Sequence, residues 1–339
     1  MTCWIELARD AIQLGRQELE SRMASVAVNA SPPIPLPGHA HVMQLDAPGN
    51  EDWIRTLACA RRILVPIAQG APEDLSETVK RTEHEGVTSA VRLWPGDHIP
   101  ETLARTIGGG IAAGGGRIDL DDPDRTYLLL RVPGTEEFWL CRELAETDRH
   151  VLRHRRPGSL PFRKPVTLTP LLARTLVNLA AVPPGGRILD PFCGTGALSI
   201  EAGNLGYRVL ASDKDGRMVR GTLRNLEHIG IVPEAISQCG VEKVVETFEG
   251  HLPVDGVVTD PPYGRASSTH GEEAAAVVEN GFRTLQGALR ASGRMVFMLP
   301  QRTDPAMFGN GWEEVYPPFP LHVHASLTRW VHVWRRTKG

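Results

Sequence analysis

The sequence predicts an α/β protein in which a parallel-sheet domain follows a smaller α+β region. Three observations predict it. After residue 166, strand-like and helix-like segments alternate regularly, the pattern of a parallel sheet covered on both faces by helices. Before residue 149 the strands are shorter, and Asp, Pro and Gly turns separate them. The 339 residues are 41% hydrophobic and 23% charged, enough for more than one globular domain and too apolar for a disordered chain.

From the N-terminus, Cys3–Leu7 reads as a strand and Ala11–Met23 as a helix. Pro32, Pro33, Pro35, Pro37 and Gly38 mark a loop. Glu51–Arg62 reads as helical and Ile63–Ala68 as a strand. A second unit begins near residue 76. In it Ala90–Leu93 is strand-like, Pro100–Ile107 helical, and Arg117–Leu120, Tyr127–Val132 and Phe138–Cys141 are short strands. Gly108, Gly110 and Ala113 satisfy a dinucleotide-binding glycine pattern, but they follow a helix-like segment instead of a strand and run into Gly114, Gly115 and Gly116. That stretch reads as a flexible loop. In the C-terminal half, Leu171–Ala181, Ala197–Leu205, Arg217–Ile229 and Glu272–Arg290 read as helices. Arg187–Asp190, Arg208–Ser212, Gly256–Thr259 and Arg294–Leu299 are the strands between them, and Glu313–Tyr316 with His324–Trp334 reads as an antiparallel pair at the sheet edge. The expected organisation is therefore residues 1–75, residues 76–148, a linker at 149–165 and a domain at 166–339.

Charge places that linker. The net charge of −3 speaks against an evenly basic nucleic-acid binder. It conceals a segmental imbalance. Residues 1–148 carry 14 Lys/Arg against 23 Asp/Glu, a balance of −9, and residues 166–339 carry 17 of each. Residues 149–165 carry Arg149, Arg153, Arg155, Arg156, Arg163 and Lys164 with no acid, a balance of +6, beside Pro157, Gly158 and Pro161. A solvated linker and a phosphate-contacting hinge both fit this composition. No run approaches the apolar length of a membrane span. The first turns hold Glu6, Arg9 and Asp10, unlike a signal peptide. The five cysteines are odd in number, scattered and without a C-x-x-C. That points to a cytoplasmic setting and away from a zinc cluster. His322, His324 and His332 lie at strand spacing and suggest no metal site.

Three strand ends carry the chemistry. The first strand of the C-terminal domain ends in Asp190-Pro191-Phe192-Cys193-Gly194-Thr195-Gly196, a strand, glycine turn and helix at the carboxyl end of a parallel sheet. An acid at the head of that loop would repel a pyrophosphate and suit a ligand bearing an ammonium or sulfonium group. S-adenosylmethionine bears both. The second strand ends at Asp213, 23 residues later, where an acid accepts from ribose hydroxyls. Capping the next helix is the other role open to Asp213. A later strand ends in Asp260-Pro261-Pro262-Tyr263. Neither proline has an N–H, so the chain cannot continue pairing and turns outward. Asp260 and the Pro261 carbonyl can accept from an exocyclic amine, and Tyr263 can stack on an aromatic base. A base amine is a poor nucleophile because its lone pair is delocalised. Two acceptors favour its pyramidal form, and Asp260 can take the proton. Reaching such an amine requires a base flipped out of its pair.

With these residues in view, 162–339 resembles the class I S-adenosylmethionine-dependent methyltransferases of base amino groups, and among them the archaeal and eukaryotic tRNA (guanine-10-N2)-methyltransferases. The resemblance rests on Phe162-Arg163-Lys164-Pro165-Val166, Asp190–Gly196 with Glu201, Asn225-Leu226-Glu227-His228, Asp260–Arg265 and His324-Ala325-Ser326-Leu327-Thr328-Arg329. Arg117-Ile118-Asp119-Leu120-Asp121-Asp122-Pro123-Asp124 resembles the second half of a THUMP domain. The resemblance implies a Rossmann-like domain with a seven-stranded mixed sheet, preceded by ferredoxin-like and THUMP domains. It implies S-adenosylmethionine as cofactor, held by Phe162, Pro165, Thr167, Asp190, Phe192, Gly194, Thr195, Gly196 and Asp213. The target guanine is expected at Asp260, Pro261, Pro262 and Tyr263. Arg153, Arg155, Arg156, Arg265 and Arg329 are candidate RNA contacts. A tRNA substrate, and in some members a small zinc-finger activator protein, are the implied partners. One departure stands out: Ile236-Ser237-Gln238-Cys239-Gly240-Val241-Glu242 lacks the acid that usually binds adenine where it is expected after the third strand; Gln238, a backbone carbonyl or a displaced Glu242 are the substitutes open to it. Other amino-methylating enzymes, acting on tRNA guanine 6, ribosomal RNA or DNA, share Asp-Pro-Pro-Tyr, and a non-catalytic RNA-binding protein could keep the fold.

Overall fold

The computed structural model describes every residue except 1, 28–30, 47–51, 96, 156, 166, 263–270, 309, 325, 326, 338 and 339. The chain forms two compact units. The first comprises Met1–Ile12, Ala30–Arg55 and Ala60–Thr147, and the second Gln13–Asn29, Thr56–Cys59 and Asp148–Gly339.

The first unit is built on one sheet ordered β2-β3-β1-β4-β8-β7-β5-β6. Its strands are β1 (Thr2–Leu7), β2 (Ile34–Leu36), β3 (His39–Asp46), β4 (Ala60–Gly70), β5 (Thr88–Leu93), β6 (Arg117–Ile118), β7 (Arg125–Arg131) and β8 (Phe138–Glu146). The sheet runs without a break across residue 75, where the sequence suggested a boundary. The reason is that β4 pairs with β8 and β8 with β7, which joins the early and late strands in one ladder. The proline-rich stretch expected to be a loop holds β2, and β3 follows it. Where a long helix was expected at Glu51–Arg62, α2 (Asp52–Arg55) is a single turn and β4 begins at Ala60.

The first part of the glycine run expected to be a loop, residues 108–113, is instead helical, and only Gly114, Gly115 and Gly116 follow it in a turn. The helical part lies in α4 (Glu101–Ala113), which packs on α3 (Pro72–Lys80). A Cβ at Gly110 would lie 2.3 Å from the Ser76 carbonyl oxygen. The glycine serves close helix–helix approach, which outweighs its poor helix propensity. Leu75, Val79, Ile107 and Ile111 from this helix pair are buried with Trp4, Leu64 and Tyr127 of the sheet.

The second unit holds the expected seven-stranded mixed sheet, ordered β11-β10-β9-β12-β13-β15-β14. Its strands are β9 (Arg187–Asp190), β10 (Arg208–Asp213), β11 (Ala235–Gln238), β12 (Val254–Thr259), β13 (Leu289–Leu299), β14 (Trp312–His324) and β15 (Leu327–Arg336). The strands from β11 to β13 are parallel. β15 then runs antiparallel to both β13 and β14. The helices are α5 (Arg149–His154), α6 (Pro170–Leu179), α7 (Ala197–Asn204), α8 (Gly216–Ile229), α9 (Val244–Thr247) and α10 (Gly271–Ala288). The strand order reverses between β9 and β12. In an open parallel sheet that is where a crevice forms at the carboxyl ends of the strands.

One element of this unit comes from the far end of the sequence. Helix α1 (Ile12–Ser25) belongs to it, and its Glu18 is fully buried. The Glu18 carboxylate accepts from the backbone N–H groups of Ala58 and Cys59, each at 2.8 Å, and from Asn178 Nδ2 at 2.6 Å. Arg22 donates to the Tyr207 hydroxyl at 2.7 Å, and Arg294 to the Ser21 hydroxyl at 2.8 Å. A buried carboxylate is tolerated only when its lone pairs are satisfied in this way.

Candidate functional site

At the reversal point a cavity of about 530 Å³ opens at the ends of β9, β10 and β12. Asp190 and Asp213, the last residues of β9 and β10, and Asp260, directly after β12, line it together. The volume lies within the range of sites that take a nucleotide-sized ligand.

The loop after β9 is tightly determined. Cys193 N–H donates to the Ser212 carbonyl at 2.9 Å, and Gly194 N–H to Asp213 Oδ2 at 3.1 Å. These bonds tie the loop to the end of β10. Gly196 begins α7 with φ +83°, and a Cβ there would lie 2.8 Å from Thr222 Cγ2, so glycine is required both by conformation and by space. Asn225, fully buried on α8, accepts from Phe162 N–H at 2.9 Å. It donates to the Phe162 and Thr195 carbonyls at 2.7 and 2.8 Å. One amide thus clamps the segment before α6 against the β9 loop. Thr167 and Thr195 meet across that seam, hydroxyl to hydroxyl, at 3.2 Å.

The carboxylates are electrostatically strained. Asp190 is 2% exposed, and burial pushes its carboxyl up to about 7, with the Asp213 charge adding to the effect. The N–H of Phe192 at 3.3 Å and the Thr259 hydroxyl at 3.0 Å, both on Oδ1, oppose the rise. Burial likewise raises Asp213. Asp260 is raised by burial first and then by Asp190. A cavity walled by raised carboxylates attracts a cationic ligand, because such a ligand recovers the cost of ionising them. This donor set fits the ammonium, sulfonium and ribose hydroxyls of S-adenosylmethionine.

Comparison with known proteins agrees with this geometry. A family model described as RMKL-like, methyltransferase domain, matches residues 157–315. A tRNA (guanine(10)-N2)-dimethyltransferase of Methanothermobacter thermautotrophicus is 32% identical over 345 residues, covering 99% of this chain and 100% of that one. The chain belongs to the tRNA (guanine-10-N2)-methyltransferase family. A second member, from Pyrococcus abyssi, is 30% identical over 70% of this chain and 69% of its own length. The crystal structure of TrmN from Thermus thermophilus superposes with a TM-score of 0.56 at 19% identity, over 99% of this chain and all of that one, and shares the fold.

The residues singled out by sequence fall into four groups. Thr167, Asp190, Phe192, Gly194, Thr195, Asp213, Asp260 and Pro262 line the cavity. Phe162, Pro165, Gly196 and Pro261 stand behind or beside it. The Phe162 ring covers Gly221, where a Cβ would lie 2.1 Å from it, and Pro261 is buried. Gln238 is exposed and donates to the Lys214 carbonyl at 3.3 Å, outside the cavity lining. Glu242, on the short 3-10 turn Val241–Lys243, lines the cavity in its place. Tyr263, Arg265 and Arg156 lie outside the described residues.

Lys164, read in the sequence only as a linker cation and as part of a motif, also lines the cavity, as do Leu168, Lys214, Arg217 and Met218, which were not singled out. Their signal was only proximity to the motifs. Asn225 lay within a quoted motif, yet nothing in the sequence told its clamping role.

The linker arginines divide as well. Arg155 sits 3.3 Å from Glu201, which also pairs with Arg174 at 2.7 Å, both 2% exposed. Arg149 donates to the Ala58 carbonyl. Arg153 is exposed. Arg329 lies on Asp260. Among the described residues no group of three His, Cys, Asp or Glu is placed to hold a metal ion, and no helix is long and apolar enough to cross a membrane.

Proposed function

We propose that this chain methylates the exocyclic N2 of guanine 10 in tRNA, using S-adenosylmethionine. The observation that carries the reading is the shared cavity. Asp260 and Pro262 of the Asp-Pro-Pro-Tyr turn line the same space as Asp190 and Asp213 of the cofactor-type loops. Donor and acceptor sites are thereby held within one enclosure, which supplies the proximity needed for a two-substrate reaction.

S-adenosylmethionine supplies an electrophilic methyl group on a cationic sulfur. Asp190 and the loop at Gly194 would hold its amino-acid portion, Asp213 its ribose, and Glu242, which lines the cavity, would supply the adenine contact. Asp260 and the Pro261 carbonyl accept the two hydrogens of the guanine amine, which frees the nitrogen lone pair from the ring. Transfer of the methyl carbon to this nitrogen would break the carbon–sulfur bond and leave a neutral thioether, S-adenosylhomocysteine, and Asp260 would take the proton that the nitrogen loses. Tyr263 stacks on the flipped base. The first unit and the exposed Arg153 hold the tRNA, in keeping with the THUMP-like stretch at 117–124.

Mass spectrometry of unmodified tRNA after incubation with enzyme and cofactor tests this reading. N2-methylguanine or N2,N2-dimethylguanine at position 10, lost in Asp260→Ala, is the expected result, and the same spectra give the methyl count. Modification at guanine 6, or of ribosomal RNA alone, would redirect the assignment. Full activity of Asp260→Ala would remove the proposed role of Asp260.

A further inference from the structure

Asp260 does not face the cavity alone. Arg329, near the start of β15, sends its guanidinium Nη2 onto Asp260 Oδ1. The pair is shielded, with 13% of the Arg329 side chain and 22% of the Asp260 side chain exposed. Arg329 is thus not an outward-facing cation waiting for a phosphate. It is the counter-charge of the catalytic turn, brought from 69 residues away by the antiparallel β14–β15 pair, in which it stands opposite Leu321.

The need for a counter-charge follows from the surroundings. Among the described residues, Asp190 faces Asp260 from the end of β9 and Arg329 from β15. Asp213, Glu242 and Lys164 line the same cavity. Burial and the Asp190 carboxylate both favour a protonated Asp260. A protonated acid would present a donor where the amine needs an acceptor, and it would have no capacity for the departing proton. Arg329 opposes both effects. Its own burial lowers it only to about 10, so it stays cationic at neutral pH. Contact through Oδ1 also restrains the orientation of the carboxylate.

We propose that Arg329 is a positioning residue of the methyl-transfer reaction, holding Asp260 ionised and aimed so that it can receive the amine hydrogens. This rests on the reading of Asp260 given above.

The test is the pH profile of kcat/KM from about pH 6 to 9.5 for wild type, Arg329→Met, Arg329→Lys and Asp260→Ala, with tRNA affinity measured at each pH. An opposite charge at contact distance lowers a carboxyl by about 1–3 pH units, so its removal in Arg329→Met moves the acidic limb up by about that amount. Activity at pH 7 then falls about tenfold or more and recovers towards wild type at pH 9. tRNA affinity changes less than about twofold, and Arg329→Lys restores most of the profile. An equal loss at every pH, which a merely structural role would give, overturns the proposal. So does weakened tRNA binding with an unmoved profile, which would make Arg329 an RNA contact. Calorimetric binding of S-adenosylmethionine checks that each variant is folded. If Asp260→Ala is inactive while Arg329→Met keeps the wild-type profile, the inference about Arg329 fails and the assignment of Asp260 stands. If Asp260→Ala is fully active, it is that assignment which fails.

Discussion

Replacing Asp190 by Asn should stabilise the ligand-free protein at alkaline pH while weakening its hold on a cationic ligand. Burial raises the Asp190 carboxyl from its usual 3.8 to about 7. A rise of about three pH units corresponds to about 4 kcal/mol. The sign follows from linkage. Between pH 4 and 7 the folded state binds the proton more tightly than the unfolded state, so Asp190 contributes a loss of stability as pH rises through that window, complete above about pH 7. The asparagine side chain would carry no charge to desolvate. Both hydrogen bonds to Asp190, from Phe192 N–H and the Thr259 hydroxyl, end on the single oxygen Oδ1, and an amide carbonyl in its place can accept both. The substitution therefore removes the charge and keeps the bonding. Urea unfolding of both proteins at pH 5 and pH 8 measures the effect. Asp190→Asn should gain up to about 4 kcal/mol over wild type at pH 8 and much less at pH 5. In parallel, its affinity for S-adenosylmethionine should fall about tenfold or more, and the wild-type affinity should tighten between pH 6 and 8. Equal stability differences at the two pH values would refute the reasoning, because the desolvated charge would then not be at Asp190.

Other perturbations test the supports of the site. Glu18→Ala strands three buried donors, at about 1–3 kcal/mol each, so full-chain unfolding should show a loss of about 3–9 kcal/mol; a loss below about 1 kcal/mol would mean that α1 is not anchored through this carboxylate. Asn225→Ala releases the clamp between Phe162 and Thr195 and should weaken cofactor binding by calorimetry about tenfold, with a stability cost of about 1–3 kcal/mol. Gly196→Ala combines a left-handed backbone with a clash on Thr222 and should cost about 1–3 kcal/mol in thermal unfolding. Of the linker arginines, Arg153→Gln should lower the salt slope of tRNA binding by about one. Arg155→Gln, whose partner is Glu201, should mainly lower stability.

The catalytic unit was largely legible because its chemistry stands at strand ends. Val254–Thr259 is an unbroken strand that stops at Asp260-Pro261-Pro262, and Arg187–Asp190 and Arg208–Asp213 stop at acids in the same way. Runs of this kind show both the parallel sheet and the rim of its crevice. The first unit was less readable. In β3, His39, His41 and Gln44 interleave with Val42, Met43 and Leu45 and blur the apolar alternation. Gly108 and Gly110 in α4 carry turn chemistry locally, and only the Ser76 carbonyl 2.3 Å from the Gly110 Cβ position explains why a helix uses glycine there. Arg329 was misleading for a related reason. A cation on a terminal strand resembles an RNA contact, and its partner Asp260 stands 69 residues earlier. Arg155, read from the composition of the linker, turned out to be held by Glu201. In each case the deciding neighbour was distant in the chain.

Helix α1 has a consequence for how the molecule is made. Asn178 follows Glu18 by 160 residues. At roughly 5–20 residues per second, a ribosome needs about 8–30 s to deliver the partner after the helix has emerged. Through that interval Glu18 has only the backbone N–H groups of Ala58 and Cys59 to satisfy it. A fragment starting at residue 148 would never receive the helix at all. It would leave Asn178 Nδ2 without Glu18 and the Thr56 carbonyl, while Arg294 would keep the Leu179 carbonyl and the Tyr207 hydroxyl the Val182 carbonyl. A cut at the linker therefore removes part of the methylating unit itself, since Gln13–Asn29 and Thr56–Cys59 belong to it.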